Sequence, residues 1–193
     1  MSDNDFVRSM RLKAAKKCLR IAFPDAEDAR TLNCARTIIA EKIGVPVLVG
    51  KAEAIKKVAA ENNIGIDGIE IVEPATSPLK DELTNLLFEK RKAKGMTMEQ
   101  AKETAINSLY FAGLLLASDK VQVVVGGNVS ATGDIIRAAI HTVGIAPGIQ
   151  TVSSYFIMVL GERMLCYADC AVVPDPTDIQ LADIAITSAK NFQ

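Results

Sequence analysis

Short apolar runs alternate with amphipathic segments along most of the chain. The apolar runs are compact, as in the buried strands of a parallel sheet. The segments between them place apolar residues three to four apart, the spacing of helices that pack one face on a sheet. The predicted strands are Arg20–Pro24, Val45–Gly50, Ile69–Val72 and Val121–Val125, and the predicted helices are Phe6–Leu19, Ala29–Lys42, Lys51–Asn62, Ser77–Lys94 and Leu109–Ser118. This alternation predicts an α/β fold: a three-layer domain built on a parallel sheet.

Polar residues mark the expected ends of several helices. Residues 25–28 supply N-cap chemistry for the helix that begins at Ala29. Gly95 interrupts the helical pattern, and Thr97 followed by Gln100 predicts a capping box at the start of the next helix.

The pattern changes near the end of the chain, where β-type runs are no longer separated by helices. Two apolar runs, Thr151–Leu160 and Met164–Val173, are joined by the turn Gly161–Arg163, which predicts a hairpin. A final helix is predicted from Asp178 onward. We therefore expect a first α/β domain over residues 1–148 and the start of a second α/β domain over 149–193. A hairpin and one helix bury too little apolar surface to form a complete domain. We expect the second domain to be truncated, or covered by a partner.

Charge and hydropathy exclude several classes of partner. The 22 basic residues nearly balance the 23 acidic ones, so no overall field attracts nucleic acid or an anionic membrane. The apolar runs are too short to span a membrane, and the acidic N-terminus is unlike a signal peptide. We expect a cytoplasmic protein without nucleic-acid or membrane partners, so that any anion is bound locally.

The cysteines and the single histidine do not form a common zinc pattern. The four cysteines are scattered through apolar segments, and only Cys166 and Cys170 are close in sequence. We expect reduced, mostly packed thiols, no metal site and no permanently bound cofactor. A redox or metal role is the alternative.

The segment from Gly126 to Arg137 is the most informative candidate site. A buried strand runs into glycines, then into a Ser/Thr-rich turn and a helix, a pattern that suits phosphate because backbone N–H groups and the helix N-terminus attract anions. The candidate phosphate-binding residues are Gly127, Asn128, Ser130, Thr132 and Arg137, the last offering a bidentate fork. The pattern is neither a P-loop nor a dinucleotide fingerprint. An ordinary strand–helix turn is the alternative.

A second basic candidate is the run Lys90–Gly95, which includes Arg91. The alternative for this run is a solvated helix end whose positive charges complement the helix dipole.

Four segments together resemble the phosphate acetyl/butyryltransferase family. They are Arg20–Arg30, Arg91–Glu99, Gly126–Arg137 and Tyr167–Pro176, and they occur in the order and spacing typical of that family. The resemblance extends over essentially the whole chain. It implies two α/β domains with the active site in the cleft between them, and a homodimer.

The resemblance also implies an acyltransferase. Members of this family transfer acetyl reversibly between acetyl phosphate and coenzyme A, by direct attack of the CoA thiolate in a ternary complex. The partners would be acetyl phosphate, CoA, acetyl-CoA and phosphate. A butyryl-transferring enzyme and a non-catalytic accessory or oligomerisation domain of the same fold are the alternatives.

Matched by position, Arg137 and Arg91 correspond to the two active-site arginines of the family, and Thr132 to a hydroxyl that faces the substrate. The general base of the family, with most of the CoA surface, belongs to a C-terminal segment that no residue here matches, so this chain alone is expected to lack activity. Two positions depart from the family: Ala138 replaces a common proline and Ala131 a common hydroxyl residue.

Overall fold

The computed structural model describes residues 5–161 and 163–192. The chain forms two compact units, which divide between Gly144 and Ile145. The domain boundary near Gly148 stays a prediction from the sequence, as does the site between two domains. Over the described ranges, no helix is both long and apolar enough to cross a membrane.

The first unit contains seven helices and four strands among its described residues. The helices are α1 (Asp5–Lys17), α2 (Ala29–Ala40), α3 (Ala52–Glu61), α4 (Lys80–Arg91), α5 (Met98–Ala105), α6 (Ser108–Ala117) and α7 (Thr132–Thr142). The strands are β1 (Arg20–Phe23), β2 (Val45–Val49), β3 (Glu70–Val72) and β4 (Val123–Val124).

The four strands form one parallel sheet in the order β3-β2-β1-β4. The chain builds the sheet outward from β1 to β3 and then crosses back to place β4 on the other side of β1. The order of the strands therefore reverses between β1 and β4. Open parallel sheets bind ligands at such a reversal, beyond the carboxyl ends of the strands.

The alternation of side chains along the central strands gives the sheet two buried faces. Ala22, Val47 and Val49 pack on one face with apolar residues of α4 and α6. Phe23 and Leu48 pack on the opposite face with residues of α2 and α3. Successive strand residues point to opposite faces, so each face of the sheet carries its own row of apolar side chains. Helices cover both faces, which confirms the predicted three-layer α/β fold.

In the first unit, two predicted elements differ most from the structure. The predicted strand Val121–Val125 is reduced to the two residues of β4, because the backbone N–H of Val121 donates to Leu115 at the end of α6 and β4 has only β1 as a neighbour. The predicted helix Ser77–Lys94 begins three residues later as α4 and changes to a 3-10 turn at Lys92 before Gly95. The predicted capping box between Thr97 and Gln100 is confirmed.

The second unit contains a hairpin and a helix. Strands β5 (Tyr155–Leu160) and β6 (Arg163–Ala168) pair antiparallel, as predicted, although they are shorter than the predicted runs Thr151–Leu160 and Met164–Val173. Helix α8 covers Asp178–Phe192. Several large apolar side chains of the hairpin are exposed, Phe156 among them at 61%. After β6, the Asp169 carboxylate accepts hydrogen bonds from the backbone N–H and the hydroxyl of Ser154 and from two backbone N–H groups of the following turn.

Candidate anion site

The candidate site lies at the carboxyl ends of β1 and β4, where the strand order reverses. Two loops meet there. The loop after β1 carries Pro24 and Asp25, and the turn after β4 runs from Gly126 to Ser130. A Cβ atom added to Gly126 would lie 3.1 Å from Cγ of Pro24, so the two loops pack closely at this glycine. Gly127 adopts a φ of 109°, which glycine accommodates most easily.

Asp25 holds the turn after β4 in place. The residue is 8% exposed. One carboxylate oxygen accepts from the backbone N–H of Gly127 at 2.7 Å, and the other accepts from the hydroxyl of Ser130. Burial raises the pKa of Asp25, but the hydrogen bonds from Ser130, Gly127 and Val129 outweigh burial and leave the pKa lowered. Asp25 is therefore a buried carboxylate that stays charged because the turn surrounds it with donors.

A second contact, from the first turn of α2, supports the turn. The guanidinium of Arg30 donates to the backbone oxygen of Asn128 at 2.9 Å, and it also pairs with Asp28 at 2.9 Å. Asp28 is the N-cap of α2, whereas Asp25, predicted to share in that capping, binds the turn instead. The difference arises because the turn after β4 brings the N–H of Gly127 and the hydroxyl of Ser130 within hydrogen-bonding distance of Asp25.

The N-terminus of α7 follows the turn and is open. Its N-cap, Ala131, has no side chain able to accept a hydrogen bond from the first helical turn. Thr132 is the first residue of the helix and is exposed, and a Cβ added to Gly133 would meet no atom within 4 Å. The first N–H groups of a helix lack partners inside the helix. This end of α7 thus offers N–H groups, a hydroxyl and the positive end of the helix dipole to an anion.

Arg137 lies one turn further along α7. Its side chain is 62% exposed and pairs with Asp134 at 3.0 Å. A pair between exposed side chains within one helix is worth little, about 0.3–0.5 kcal/mol. The guanidinium of Arg137 can therefore exchange this partner for a stronger anion such as phosphate.

Arg91 and Arg137 both lie near a tyrosine–histidine pair. The hydroxyl of Tyr110, on α6, lies 3.1 Å from Nδ1 of His141, on α7. Arg91 is the last residue of α4, and α4 packs against both α6 and α7. Burial lowers the pKa of His141, and the positive charges of Arg91 and Arg137 lower it further. Both arginines thus act on one imidazole although they come from different helices.

Close packing of α6 on α7 fixes this arrangement. A Cβ added to Gly113 of α6 would lie 2.2 Å from Oγ1 of Thr142, so only glycine allows α7 to approach so closely. The hydroxyl of Thr142 is fully buried and donates to the backbone oxygen of Ala138. The short distance between the two helices places Tyr110 within reach of His141.

An apolar cavity of about 380 Å³ lies behind the turn, between β4, α6 and α7. Its lining includes Leu109, Gly126, Ile135 and Val143. Across the described part of the chain, no group of three or more His, Cys, Asp or Glu side chains is arranged to hold a metal ion.

The structure brings together some of the predicted residues and gives others different partners. Arg91 and Arg137 are brought to one region, and Thr132 lies exposed at the start of α7. Gly127 and Ser130 donate to Asp25, and the backbone oxygen of Asn128 accepts from Arg30.

Sequence reasoning missed Asp25, Tyr110 and His141 as members of this region. Asp25 lies about a hundred residues before the turn, and Tyr110 bonds a histidine 31 residues away. The only available signal was the position of Asp25 directly after a buried strand.

A model of the phosphate acetyl/butaryl transferase family matches residues 5–193. The chain belongs to this family. The match includes both loops of the candidate site, both arginines and the hairpin of the second unit.

Individual members of the phosphate acetyl/butaryl transferase family agree with this match. A phosphate acetyltransferase of Clostridium acetobutylicum is 38% identical over 96% of this chain and 58% of its own length. A phosphate acetyltransferase of Helicobacter pylori is 34% identical over 96% of this chain and 36% of its own length. This chain therefore spans between about a third and three fifths of these curated relatives.

Solved structures of the family share the fold. The EutD phosphotransacetylase of Staphylococcus aureus superposes with a TM-score of 0.88 and 34% identity, over 96% of this chain and 56% of its own. A phosphotransacetylase of Streptococcus pyogenes gives a TM-score of 0.88 at 27% identity, over 96% of this chain and 57% of its own.

Proposed function

We propose that the complete protein is an acyltransferase that moves an acetyl group reversibly between acetyl phosphate and coenzyme A. The observation that carries the proposal is that Arg91 and Arg137, from two helices, both lie close enough to His141 of α7 for their charges to lower its pKa. Relatives named phosphate acetyltransferase supply the reaction.

In the proposed reaction, the CoA thiolate attacks the acetyl carbonyl carbon of acetyl phosphate. A carbon–sulfur bond forms, the carbon–oxygen bond to phosphate breaks, and phosphate leaves with its electron pair. The chemistry needs little acid–base help because a thiol has a pKa near 8.5, about 1.5 units above neutrality. Its main need is fixed positive charge around the leaving phosphate in a site that holds little water.

The described residues are assigned to the phosphate half of this reaction. Arg137 and Arg91 bind the phosphoryl oxygens, and Thr132 donates from the start of α7. The turn before α7 has a positioning role. Polar groups of Gly127, Asn128 and Ser130 are hydrogen-bonded to Asp25 and Arg30, and these bonds hold the N-terminus of α7 in place. No general base is assigned to this chain.

The proposal includes a homodimer, small-molecule substrates without a resident cofactor, and a cytoplasmic location. The resemblance to the family supports the homodimer and the substrates. Unpaired cysteines at all four positions support the location, because disulfides are typical of oxidising compartments.

Butyryl transfer is a second candidate, and the apolar cavity behind the turn favours it. The cavity of about 380 Å³ adjoins Gly126, so a longer acyl chain has apolar surface available nearby. One or two methylene groups change binding by only about 1–3 kcal/mol, so the two reactions compete within one site.

Thioester formation tests the proposal. The complete gene product and the 193-residue chain are each mixed with CoA and with acetyl phosphate or butyryl phosphate, and thioester is quantified. We expect acetyl-CoA from the complete protein with a clear preference for acetyl phosphate. A preference for butyryl phosphate selects the second candidate, and no thioester from either substrate contradicts the proposed function.

A further inference from the structure

The Tyr110–His141 pair lies near the two arginines assigned to phosphate, yet the proposed reaction gives it no part. The hydroxyl of Tyr110 lies 3.1 Å from Nδ1 of His141, and the two ring centroids are 5.8 Å apart. Both side chains are half-buried. Arg137 precedes His141 by four residues on α7, a spacing that puts both on one face of the helix.

The charged and titratable groups around His141 come from three helices. Arg91 approaches from the end of α4, Tyr110 from α6, and Arg137 with its partner Asp134 from α7. An anion bound beside this cluster would compete with Asp134 for Arg137 and would lie near the charges of Arg91 and Arg137 that act on His141.

Tyr110 is compatible with both protonation states of His141. A neutral ring can accept the tyrosine proton at Nδ1, which leaves its own proton on Nε2 as a donor. A cationic ring donates from Nδ1 to the tyrosine oxygen and still donates from Nε2. The hydrogen bond fixes the ring while the ring changes charge.

We propose, building on the proposed function, that His141 is a third group of the anion site and takes up a proton from solvent when a doubly charged anion binds beside Arg91 and Arg137. In the free protein, burial and the two arginines lower the pKa of His141. A bound anion offsets the positive charges of the two arginines, and the pKa of His141 therefore rises again. By reciprocity, protonation of His141 strengthens anion binding, so affinity rises as the pH falls through the pKa.

Nuclear magnetic resonance measures this directly because the sequence contains one histidine, whose imidazole signals need no assignment. The probe is sulfate, which keeps two negative charges between about pH 5 and pH 8, the range in which a histidine changes charge. Phosphate changes its own charge in this range and is the second probe. The 193-residue chain is titrated with acid in the absence and presence of each.

We expect sulfate to raise the pKa of His141, and sulfate affinity to be about tenfold tighter at about pH 5.5 than at about pH 8. The H141Q variant keeps a polar side chain but cannot change charge, so its sulfate affinity should not vary with pH. The Y110F variant should weaken the dependence because the ring loses its fixed orientation. R36A, a change to an exposed arginine on α2, serves as the control and should behave like the unaltered chain.

Sulfate that binds without moving the pKa of His141 overturns the inference, and so does a chain that does not bind sulfate. An unchanged pH dependence in H141Q also overturns it. If H141Q does not fold, the titration of the unaltered chain decides. The proposed function is tested separately by thioester formation in the complete protein, so either idea can fail alone.

Discussion

Two turns of this protein are held by a charged carboxylate, but over very different distances along the chain. Asp25 binds the turn after β4, where Gly127 follows Asp25 at a sequence separation of 102. Asp169 binds Ser154, 15 residues before it, and the turn that directly follows it. Burial raises the pKa of each carboxylate, and hydrogen bonds outweigh burial and lower it.

Because the sequence separations differ, one turn can form locally and the other depends on the folded sheet. The turn at Asp169 needs only its own hairpin, so local sequence can form it. The turn at Asp25 needs β1 and β4 to be paired, so it forms only when the sheet does. The N-terminus of α7 and Arg137 follow this second turn, and the proposed anion site therefore depends on a long-range contact.

The largest effect is expected when the charge of Asp25 is removed, as in D25N. In D25N the amide nitrogen cannot accept a hydrogen bond, so either Gly127 or Ser130 loses its acceptor in a partly buried place. We expect a loss of about 1–3 kcal/mol in the free energy of unfolding, measured with urea. In the complete protein we also expect a higher KM for acetyl phosphate, since the turn no longer holds the N-terminus of α7 in position. The control is D67N, at an exposed aspartate, and equal behaviour of the two variants would contradict the role of Asp25.

Neutralising Asp169 should have a smaller effect and one confined to the second unit. More of Asp169 is exposed than of Asp25, so water can replace part of the lost hydrogen bonding. We expect D169N to lower the free energy of unfolding by about 1–2 kcal/mol. Amide hydrogen exchange should accelerate at Val172 and Val173, whereas faster exchange at Gly127 would show that the two turns are not independent.

The serine partners of the two carboxylates sharpen the comparison further. Ser130 donates to Asp25, and Ser154 donates to Asp169. We expect S130A and S154A each to destabilise the protein by about 0.5–1.5 kcal/mol, the usual worth of one hydrogen bond. In the complete protein only S130A should raise the KM for acetyl phosphate. A similar rise in S154A would remove the distinction between the turns.

The smallest expected effect is a change, at low pH, in the stability difference between the unaltered protein and D25N. A carboxylate whose pKa is lowered in the folded state contributes stability above its unfolded pKa of about 3.8 and loses it as the pH falls through the folded pKa. Unfolding midpoints in urea are compared from about pH 6 down to the lowest pH at which the protein stays folded. The stability gap between the unaltered protein and D25N should narrow below about pH 4, and a constant gap would show that the charge of Asp25 is unimportant.

The sequence predicts local features of this fold well because each depends on neighbouring residues. The capping box at Thr97 and the hairpin around Gly161 follow from spacings of a few residues, and both are present. The α/β alternation follows from periodicity alone. Strand β4 is shorter than its apolar run because Val121 is drawn into the end of α6, a tertiary contact that no local pattern encodes.

The candidate site is only partly predictable for the same reason. The Ser/Thr-rich turn and Arg137 stand out as a continuous motif, and the resemblance to the family points to Arg91. The contact of Asp25 with that turn and the contact of Tyr110 with His141 join residues far apart in sequence, through pairing of β1 with β4 and packing of α6 on α7.

The central claim is that Arg91 and Arg137 bind one phosphate group. A double-mutant cycle in the complete protein tests it, with KM for acetyl phosphate measured in R91A, R137A and the double variant, and with R36A as control. Each single change should raise KM about 10- to 100-fold, because a charge-assisted contact is worth about 1.5–3 kcal/mol. The double variant should lose less than the sum of the two, by at least about 0.5 kcal/mol, since the arginines share one anion. Strictly additive losses, or a KM that either single change leaves unaltered, would contradict the claim.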